Sequence, residues 1–215
     1  MSTQSNAQEL ALAVPLIPIL RGIQTHEAIP IAQALIDQGF TCIEVPLNSP
    51  EAFRTIETLR AAFPAICLGA GTVLETSHVE TLAKLGVELI IAPNWNQEVL
   101  KLAIKLGMVA MPGVATPSEA FAAIAAGAKH LKAFPAEMIS PVVLKAWRAV
   151  LPLTAKIYPV GGISAINMAP YLEAGAAGFG FGSSIYKPGD SATQVAAKAL
   201  AIRKAWDAAH GRYQT

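Results

Sequence analysis

Two side chains in this chain of 215 residues have the type and the setting for covalent chemistry. Lys132 lies in the short apolar run 130–135, and of the ten lysines it alone falls inside a late strand-like run; Lys187, by contrast, lies in the loop after the last one. A buried ammonium either pairs with an acid or loses its proton, and a neutral amine is a nucleophile. We therefore predict that Lys132 forms a Schiff base. The alternative is a lysine whose charge is neutralised by an ion pair at the end of its strand.

Glu44 is the acid that fits the same chemistry, because it lies inside an apolar run between Ile43 and Val45. Alternation along a strand puts Glu44 on the face opposite those two residues, where its carboxylate can reach the interior. A carboxylate whose pKa is tuned by burial can transfer protons. We predict that Glu44 is the proton carrier; an ion pair with Lys132 or with Arg21 is the alternative.

Eight strand-like runs, which alternate with helix-like segments, must position these groups. They span residues 16–20, 42–45, 67–70, 89–92, 109–111, 130–134, 157–160 and 178–181. Glycine follows five of the predicted helices at the left-handed position that ends a helix. Three helix starts, at 48–51, 116–119 and 140–141, are predicted by a capping residue before a proline or an acid in the first turn. The period is that of a βα unit, so we predict an α/β fold, a parallel (β/α)8 TIM barrel that forms a single domain over 1–215, with a short N-terminal helix around 8–14. An open doubly wound sheet is the alternative.

The composition excludes several classes of function. Hydrophobic residues make up 53% and charged residues 14% of the chain, against about 25% charged in ordinary domains, which indicates deep burial. A net charge of +1 without a basic stripe argues against nucleic acid. Residues 1–9 have neither a basic region nor a long apolar one, and Pro15 and Pro18 interrupt the first apolar run, so we expect a cytoplasmic protein without a membrane segment. Cys42 and Cys67 are expected to be buried free thiols, with a disulfide as the minor alternative.

The barrel places its active site at the carboxyl ends of the strands. Arg21 ends the first strand, where a guanidinium can hold a substrate carboxylate with two hydrogen bonds. Thr72 follows the third strand and could donate a hydroxyl, or could cap the next helix together with Glu75. The loops after the last two strands are rich in glycine and serine, and such loops either bind phosphate or form ordinary turns. The candidates there are Gly161, Gly162, Gly182 and Ser183.

Seven motifs, in order over nearly the whole chain, resemble the 2-keto-3-deoxy-6-phosphogluconate/6-phosphogalactonate aldolase family. They are RGI at 21–23, EVPLNSP at 44–50, GAGTVL at 69–74, PN at 93–94, PGVAT at 112–116, KAFPAE at 132–137 and GGI at 161–163. The resemblance implies that Lys132 is the Schiff-base lysine and Glu44 the general acid/base. It implies that the substrate carboxylate lies near Arg21 and Thr72, that the phosphate lies at the glycine-serine loops, and that Pro93 belongs to the substrate site. It also implies a homotrimer that needs no metal and no cofactor.

The resemblance extends to the substrate. The gluconate enzymes carry an arginine in the loop after the glutamate and a threonine before the paired glycines, whereas this chain has Asn48 and Val160. Both resemble the galactonate branch, so we expect cleavage of 2-dehydro-3-deoxy-6-phosphogalactonate to pyruvate and D-glyceraldehyde 3-phosphate. The alternatives are the same cleavage of 2-dehydro-3-deoxy-6-phosphogluconate, a phosphosugar-binding barrel without lyase activity, and a sugar-phosphate isomerase or epimerase.

Overall fold

Strands and helices alternate through residues 15–210, the part of the chain that the computed structural model describes; the helix predicted around 8–14 lies outside it. The strands are β1 (Leu16–Pro18), β2 (Cys42–Pro46), β3 (Cys67–Gly71), β4 (Leu89–Ile91), β5 (Val109–Met111), β6 (Gly113–Val114), β7 (His130–Ala133), β8 (Lys156–Pro159) and β9 (Phe179–Phe181). The helices are α1 (Thr25–Ile36), α2 (Ala52–Ala62), α3 (Thr76–Lys84), α4 (Gln97–Lys105), α5 (Pro117–Ala125), α6 (Pro141–Arg148), α7 (Met168–Glu173) and α8 (Ala192–His210). Among these helices, none is long and apolar enough to cross a membrane.

The strands close into a ring in which each pair is parallel. Three ladders, β1 with β9, β2 to β5 in order, and β6 to β8 in order, form its parts. The Ile19–Glu44 bridge joins β1 to β2, and the Val160–Gly180 bridge joins β8 to β9. Between β5 and β6, which are two halves of one barrel strand, Pro112 accepts a 2.9 Å hydrogen bond from the Lys132 N–H. The predicted (β/α)8 barrel is confirmed, and the open sheet is wrong because the first and last strands pair.

The side chains of each strand alternate between an outer layer and the barrel interior. Ile43 and Val45 belong to the large cluster that includes the helices, whereas Cys42 packs with an interior group of Ile17, Cys67, Leu89, Ile91, Met111 and Tyr158. Leu131 and Ala133 likewise face the helices. Glu44 and Lys132 therefore face the interior, as the period of a strand requires. Cys42 and Cys67 are opposite each other in register, buried and free, so the free-thiol prediction is confirmed.

The helix ends follow the local sequence. The glycines predicted to end helices all adopt left-handed conformations, with φ between 72° and 105°: Gly39, Gly86, Gly107, Gly127 and Gly175. Thr116 caps α5 by accepting a hydrogen bond from the Glu119 N–H, and the two residues form a capping box, so the helix start predicted at 116–119 is confirmed. The start predicted at 48–51 is wrong, because α2 begins only at Ala52 after Glu51, whose φ is 44°. These ends fix where each loop leaves the barrel.

Candidate active site

A cavity of about 480 Å³ opens at the carboxyl ends of β1, β7, β8 and β9. Seven of the predicted site residues line it: Arg21, Lys132, Val160, Gly161, Gly162, Gly182 and Ser183. Seven further residues complete its wall: Ile19, Phe134, Glu137, Ile163, Ser164, Ser184 and Lys187. Of the remaining predicted residues, Glu44, Asn48, Thr72 and Pro93 do not line it. Lys132 and the loops predicted to bind phosphate therefore line one cavity.

Lys132 lies at the inner end of this cavity with only 2% of its surface exposed. Its Nζ lies 4.7 Å from the centre of the Phe134 ring, and it has no ion-pair partner within 4 Å in residues 15–210, so the ion-paired alternative lacks its contact. Burial lowers the pKa of Lys132 below its ordinary value; the charge of Glu44 opposes this shift and that of Arg21 adds to it. The amine is therefore easier to deprotonate than a surface lysine.

Glu44 lies just outside the cavity wall and is 1% exposed. Burial raises the pKa of its carboxyl, while Lys132 and Arg21 lower it. Its Oε1 has no hydrogen-bond partner in the described part of the chain. A Cβ atom at Gly71 would overlap that oxygen, so the glycine at this position makes room for the carboxylate. Burial without a hydrogen bond suits a group that must change protonation state.

Arg21 is held by the loop that follows β2. Its Nη1 donates a 2.7 Å hydrogen bond to Asn48 Oδ1, and the neighbouring Gly22 N–H donates to Ser49 Oγ at 2.9 Å. Asn48 thus acts on the cavity through Arg21 rather than by lining it. A guanidinium fixed in this way has its remaining N–H groups available for an anion.

Thr72 and Pro93 follow β3 and β4, away from the cavity wall. Thr72 has a φ of 57°, a conformation that costs a β-branched residue about 1–3 kcal/mol and that is concentrated at functional sites. The alternative in which Thr72 caps a helix is wrong, because α3 begins at Thr76 after Glu75. The main chain of Pro93 leaves no space for a side chain at Gly113, the residue that pairs in register with Lys132.

The loops after β8 and β9 form the outer part of the cavity. Gly161 and Gly162 are left-handed, with φ of 108° and 64°, and the two loops are joined by the hydrogen bond from Ser184 Oγ to the Ile163 carbonyl at 2.7 Å. Within residues 15–210, the main-chain N–H groups of Gly162 and Ser183 donate to no acceptor. Unpaired main-chain N–H groups in two adjoining loops are suited to bind phosphate.

Sequence reasoning missed two charged residues of the wall, Glu137 and Lys187. The Glu137 carboxyl carbon lies 3.2 Å from where a Cβ atom would stand on either Gly161 or Gly162, so its carboxylate lies against the glycine pair. Lys187 lines the same outer part of the cavity. Both lie in loops at the carboxyl ends of strands, so a search for charges in those loops, not only within the strands, could have found them.

Within residues 15–210, a closed barrel has a buried, unpaired lysine, a buried acid and two loops with unpaired N–H groups at the carboxyl ends of its strands, which is the arrangement of a (β/α)8-barrel enzyme. The family model for the aldolases, described as KDPG and KHG aldolase, matches residues 8–197. The chain belongs to this family of carbon-carbon lyases, so the resemblance drawn from the seven motifs is confirmed.

Individual relatives agree in name. The chain is 53% identical to a probable 2-dehydro-3-deoxy-6-phosphogalactonate aldolase of Rhizobium meliloti (strain 1021), over 93% of this chain and 95% of that protein. It is 43% identical to the 2-dehydro-3-deoxy-6-phosphogalactonate aldolase of Escherichia coli (strain K12), over 90% of this chain and 95% of that protein. A solved structure described as native KDPGal superposes with a TM-score of 0.90 at 43% identity, covering 92% of this chain and 97% of that one.

Proposed function

We propose that this protein cleaves 2-dehydro-3-deoxy-6-phosphogalactonate to pyruvate and D-glyceraldehyde 3-phosphate through an imine on Lys132. The observation that carries the proposal is a buried lysine at the inner end of a cavity whose outer end has main-chain N–H groups, neither of which finds a partner among residues 15–210. The names of the two relatives support this substrate. Asn48 and Val160, the residues that resemble the galactonate branch, lie beside Arg21 and in the cavity wall respectively.

The reaction begins when neutral Lys132 attacks the C2 ketone and water leaves, which gives an iminium ion. Glu44, directly or through a water molecule, removes the proton of the C4 hydroxyl, and the C3–C4 bond breaks as its electron pair moves into the iminium. Glyceraldehyde 3-phosphate departs and leaves an enamine. Protonation at C3 by the same carboxyl and addition of water to the imine then release pyruvate and restore the amine.

Substrate binding follows the two ends of the cavity. Arg21 binds the C1 carboxylate. Thr72 and Pro93, which do not line the cavity, are assigned to the same end of the substrate by the family resemblance. The phosphate lies on the N–H groups of the outer loops, contributed by Gly161, Gly162, Gly182 and Ser183. The iminium supplies the polarisation that a metal ion would otherwise provide. We therefore expect that a chelator leaves turnover unchanged, and inhibition by the chelator would count against this mechanism.

The proposal includes a cytoplasmic homotrimer in which residues 1–215 form one domain. Three exposed apolar side chains near the carboxyl ends of β7 and β8 support an interface: Met138, Val142 and Ile166 are 72%, 79% and 94% exposed. Burying such side chains against copies of the chain is favourable. Light scattering on the purified protein should give three times the mass of one chain, and a monomeric mass would contradict the trimer.

The decisive experiment traps the imine. Borohydride reduction in the presence of pyruvate should add one adduct to Lys132, seen by mass spectrometry of the peptide. Lys132→Ala should abolish the adduct, and Lys156→Ala, a change at an exposed lysine in the neighbouring strand, should preserve it. An adduct that survives in Lys132→Ala would overturn the assignment.

Turnover of the galactonate and gluconate substrates, compared side by side, tests the substrate. Faster pyruvate release from the gluconate compound would favour the alternative aldolase. A phosphosugar-binding barrel without lyase activity would be stabilised by the substrate without releasing pyruvate, and an isomerase or epimerase would convert the substrate without cleaving it.

A further inference from the structure

Lys187 lies in a loop that holds its main chain in a fixed position. Its N–H donates a 2.7 Å hydrogen bond to Asp190 Oδ2, and the same carboxylate forms an ion pair with Lys198 on α8. On either side of Lys187, Tyr186 is buried and Pro188 packs on Gly22, where a Cβ atom would lie 2.8 Å from Pro188 Cγ. The loop therefore brings Lys187 to the cavity next to the end of β1.

The side chain of Lys187 is free to bind a ligand. Within residues 15–210 its ammonium forms no ion pair within 4 Å and no hydrogen bond, and it lines the same cavity as Ser183, whose main-chain N–H group is unpaired. An anion on that N–H group would lie between a main-chain donor and a cation that come from one loop. This is the arrangement in which a lysine binds phosphate as a point charge.

The other charges in the cavity leave Lys187 as the cation for a bound phosphate. Among the described residues, the ionisable side chains of the cavity are Arg21, Lys132, Glu137 and Lys187. Lys132 must be neutral to act as a nucleophile, and Arg21 binds the C1 carboxylate in the proposed function. A phosphate monoester carries a charge of about −1.5 to −2 at neutral pH, so Lys187 is the cation left to balance it.

Glu137 acts in the opposite direction in the same part of the cavity. Its carboxylate lies against Gly161 and Gly162, the residues that line the phosphate end. It forms no ion pair with Lys187 within 4 Å, so neither charge is cancelled by direct contact. A bound phosphate would be attracted by the lysine and repelled by the glutamate.

We propose that Lys187 is the cationic ligand of the substrate phosphate, and that Glu137 opposes it, so that the two charges together set the affinity for phosphate. The inference deepens the proposed function and rests on it for the identity of the phosphorylated ligand. Neither residue takes part in the bond-making steps.

The test compares phosphate-dependent and phosphate-independent ligands. Lys187→Gln should raise KM for the 6-phosphorylated substrate roughly ten-fold, the size expected for one charge-assisted contact, and Lys187→Arg should recover most of the loss. Glu137→Gln should lower KM roughly two-fold or more. The rate of imine trapping with pyruvate, which has no phosphate, should stay the same in all three variants. Lys105→Gln, an equal change of net charge at the last turn of α4, is the matched control and should leave KM unchanged.

Calorimetric binding of inorganic phosphate to the same variants separates this inference from the proposed function. The dissociation constant should rise in Lys187→Gln and fall in Glu137→Gln, whether or not the wild-type protein cleaves the substrate. A wild-type protein that binds phosphate in this way but releases no pyruvate would contradict the proposed aldolase function without contradicting the inference about Lys187 and Glu137. Unchanged phosphate binding in Lys187→Gln would overturn the inference. A rate of imine trapping that falls in this variant together with its phosphate affinity would also overturn it. So would weaker phosphate binding in Glu137→Gln.

Discussion

The carboxylate of Glu44 occupies the space in which a side chain at Gly71 would have to lie. The two residues belong to neighbouring strands, β2 and β3, that pair in register. The glycine thus sets the position of the acid, although it carries no chemistry itself. The same packing leaves one oxygen of Glu44 without a hydrogen-bond partner within the described residues, which is the state expected of a group that exchanges protons with a substrate.

Gly71→Ala should therefore inactivate the protein without unfolding it. The new methyl group displaces the carboxylate, and we expect kcat to fall by about 10²-fold, the scale of a misplaced catalytic group. Gly69→Ala is the matched control, because a Cβ atom at Gly69 would meet its nearest neighbour at 3.4 Å, an ordinary contact. Steady-state kinetics of both variants, together with their circular dichroism, provides the check. Equal losses in the two variants would contradict this role for Gly71.

The protonation of Lys132 should respond to its two charged neighbours in opposite directions. Burial and Arg21 lower the pKa of Lys132 and Glu44 raises it, so Glu44→Gln should lower this pKa further and Arg21→Gln should raise it. The rate at which a small amine-reactive reagent labels Lys132 reports the neutral fraction. Its dependence on pH should shift to lower pH in Glu44→Gln and to higher pH in Arg21→Gln. Shifts in the same direction in both variants would contradict the assigned electrostatics.

The choice between the two epimeric substrates should depend on residues 48 and 160. Val160→Thr should raise the ratio of gluconate to galactonate turnover, by roughly ten-fold for one altered wall contact. Asn48→Arg alone should lower turnover of both substrates, because it removes the hydrogen bond to Arg21 and places a like charge beside it. Rates on both compounds for the single and double variants test this. An unchanged ratio in Val160→Thr would rule out that residue as a determinant.

Substitutions at the end of the barrel opposite the cavity should affect stability and not catalysis. Arg60 donates to the carbonyls of Pro64, Ile66 and Gly86 and forms an ion pair with Glu88. Arg60→Met should lower the free energy of unfolding by about 2 kcal/mol or more, because it leaves the partly buried Ile66 carbonyl and Glu88 carboxylate without their guanidinium partner.

The control is Arg54→Met, at an exposed pair with Glu51, which should change stability by less than about 0.5 kcal/mol. Denaturant titrations should separate the two variants, and kcat at 25 °C should be the same in both. A kcat that falls in Arg60→Met would show that this end of the barrel is coupled to the site.

The sequence predicts what local rules determine. Alternation within each strand gives the facing of Glu44 and Lys132, and glycine after a helix gives its end, because both depend on neighbouring residues alone. The start of α2 is missed because the Ser49 hydroxyl, a candidate cap in the sequence, accepts a hydrogen bond from Gly22 on another loop. Such tertiary contacts override local preference.

The site residues likewise separate into those that neighbouring residues reveal and those that only tertiary contacts reveal. Lys132 stands out because a charge inside an apolar run is unusual, whereas Lys187 looks like any loop lysine until Pro188 packs on Gly22 and fixes the loop. The need for glycine at 71 depends on where a side chain of another strand lies, which no local pattern contains. The roles assigned to the site residues, Thr72 and Pro93 among them, stay predictions.

The groups proposed for bond cleavage and those proposed for phosphate binding come from different parts of the chain. Lys132 and Glu44 are fixed inside barrel strands, while the groups proposed to bind the phosphate lie on the loops after β8 and β9, joined by the hydrogen bond from Ser184 to Ile163. Mutations in these loops can therefore change which phosphate-end group of the substrate is accepted, while Lys132 and Glu44 keep their positions. A homologous protein with a different loop after β9 would therefore catalyse the same bond cleavage on a different substrate.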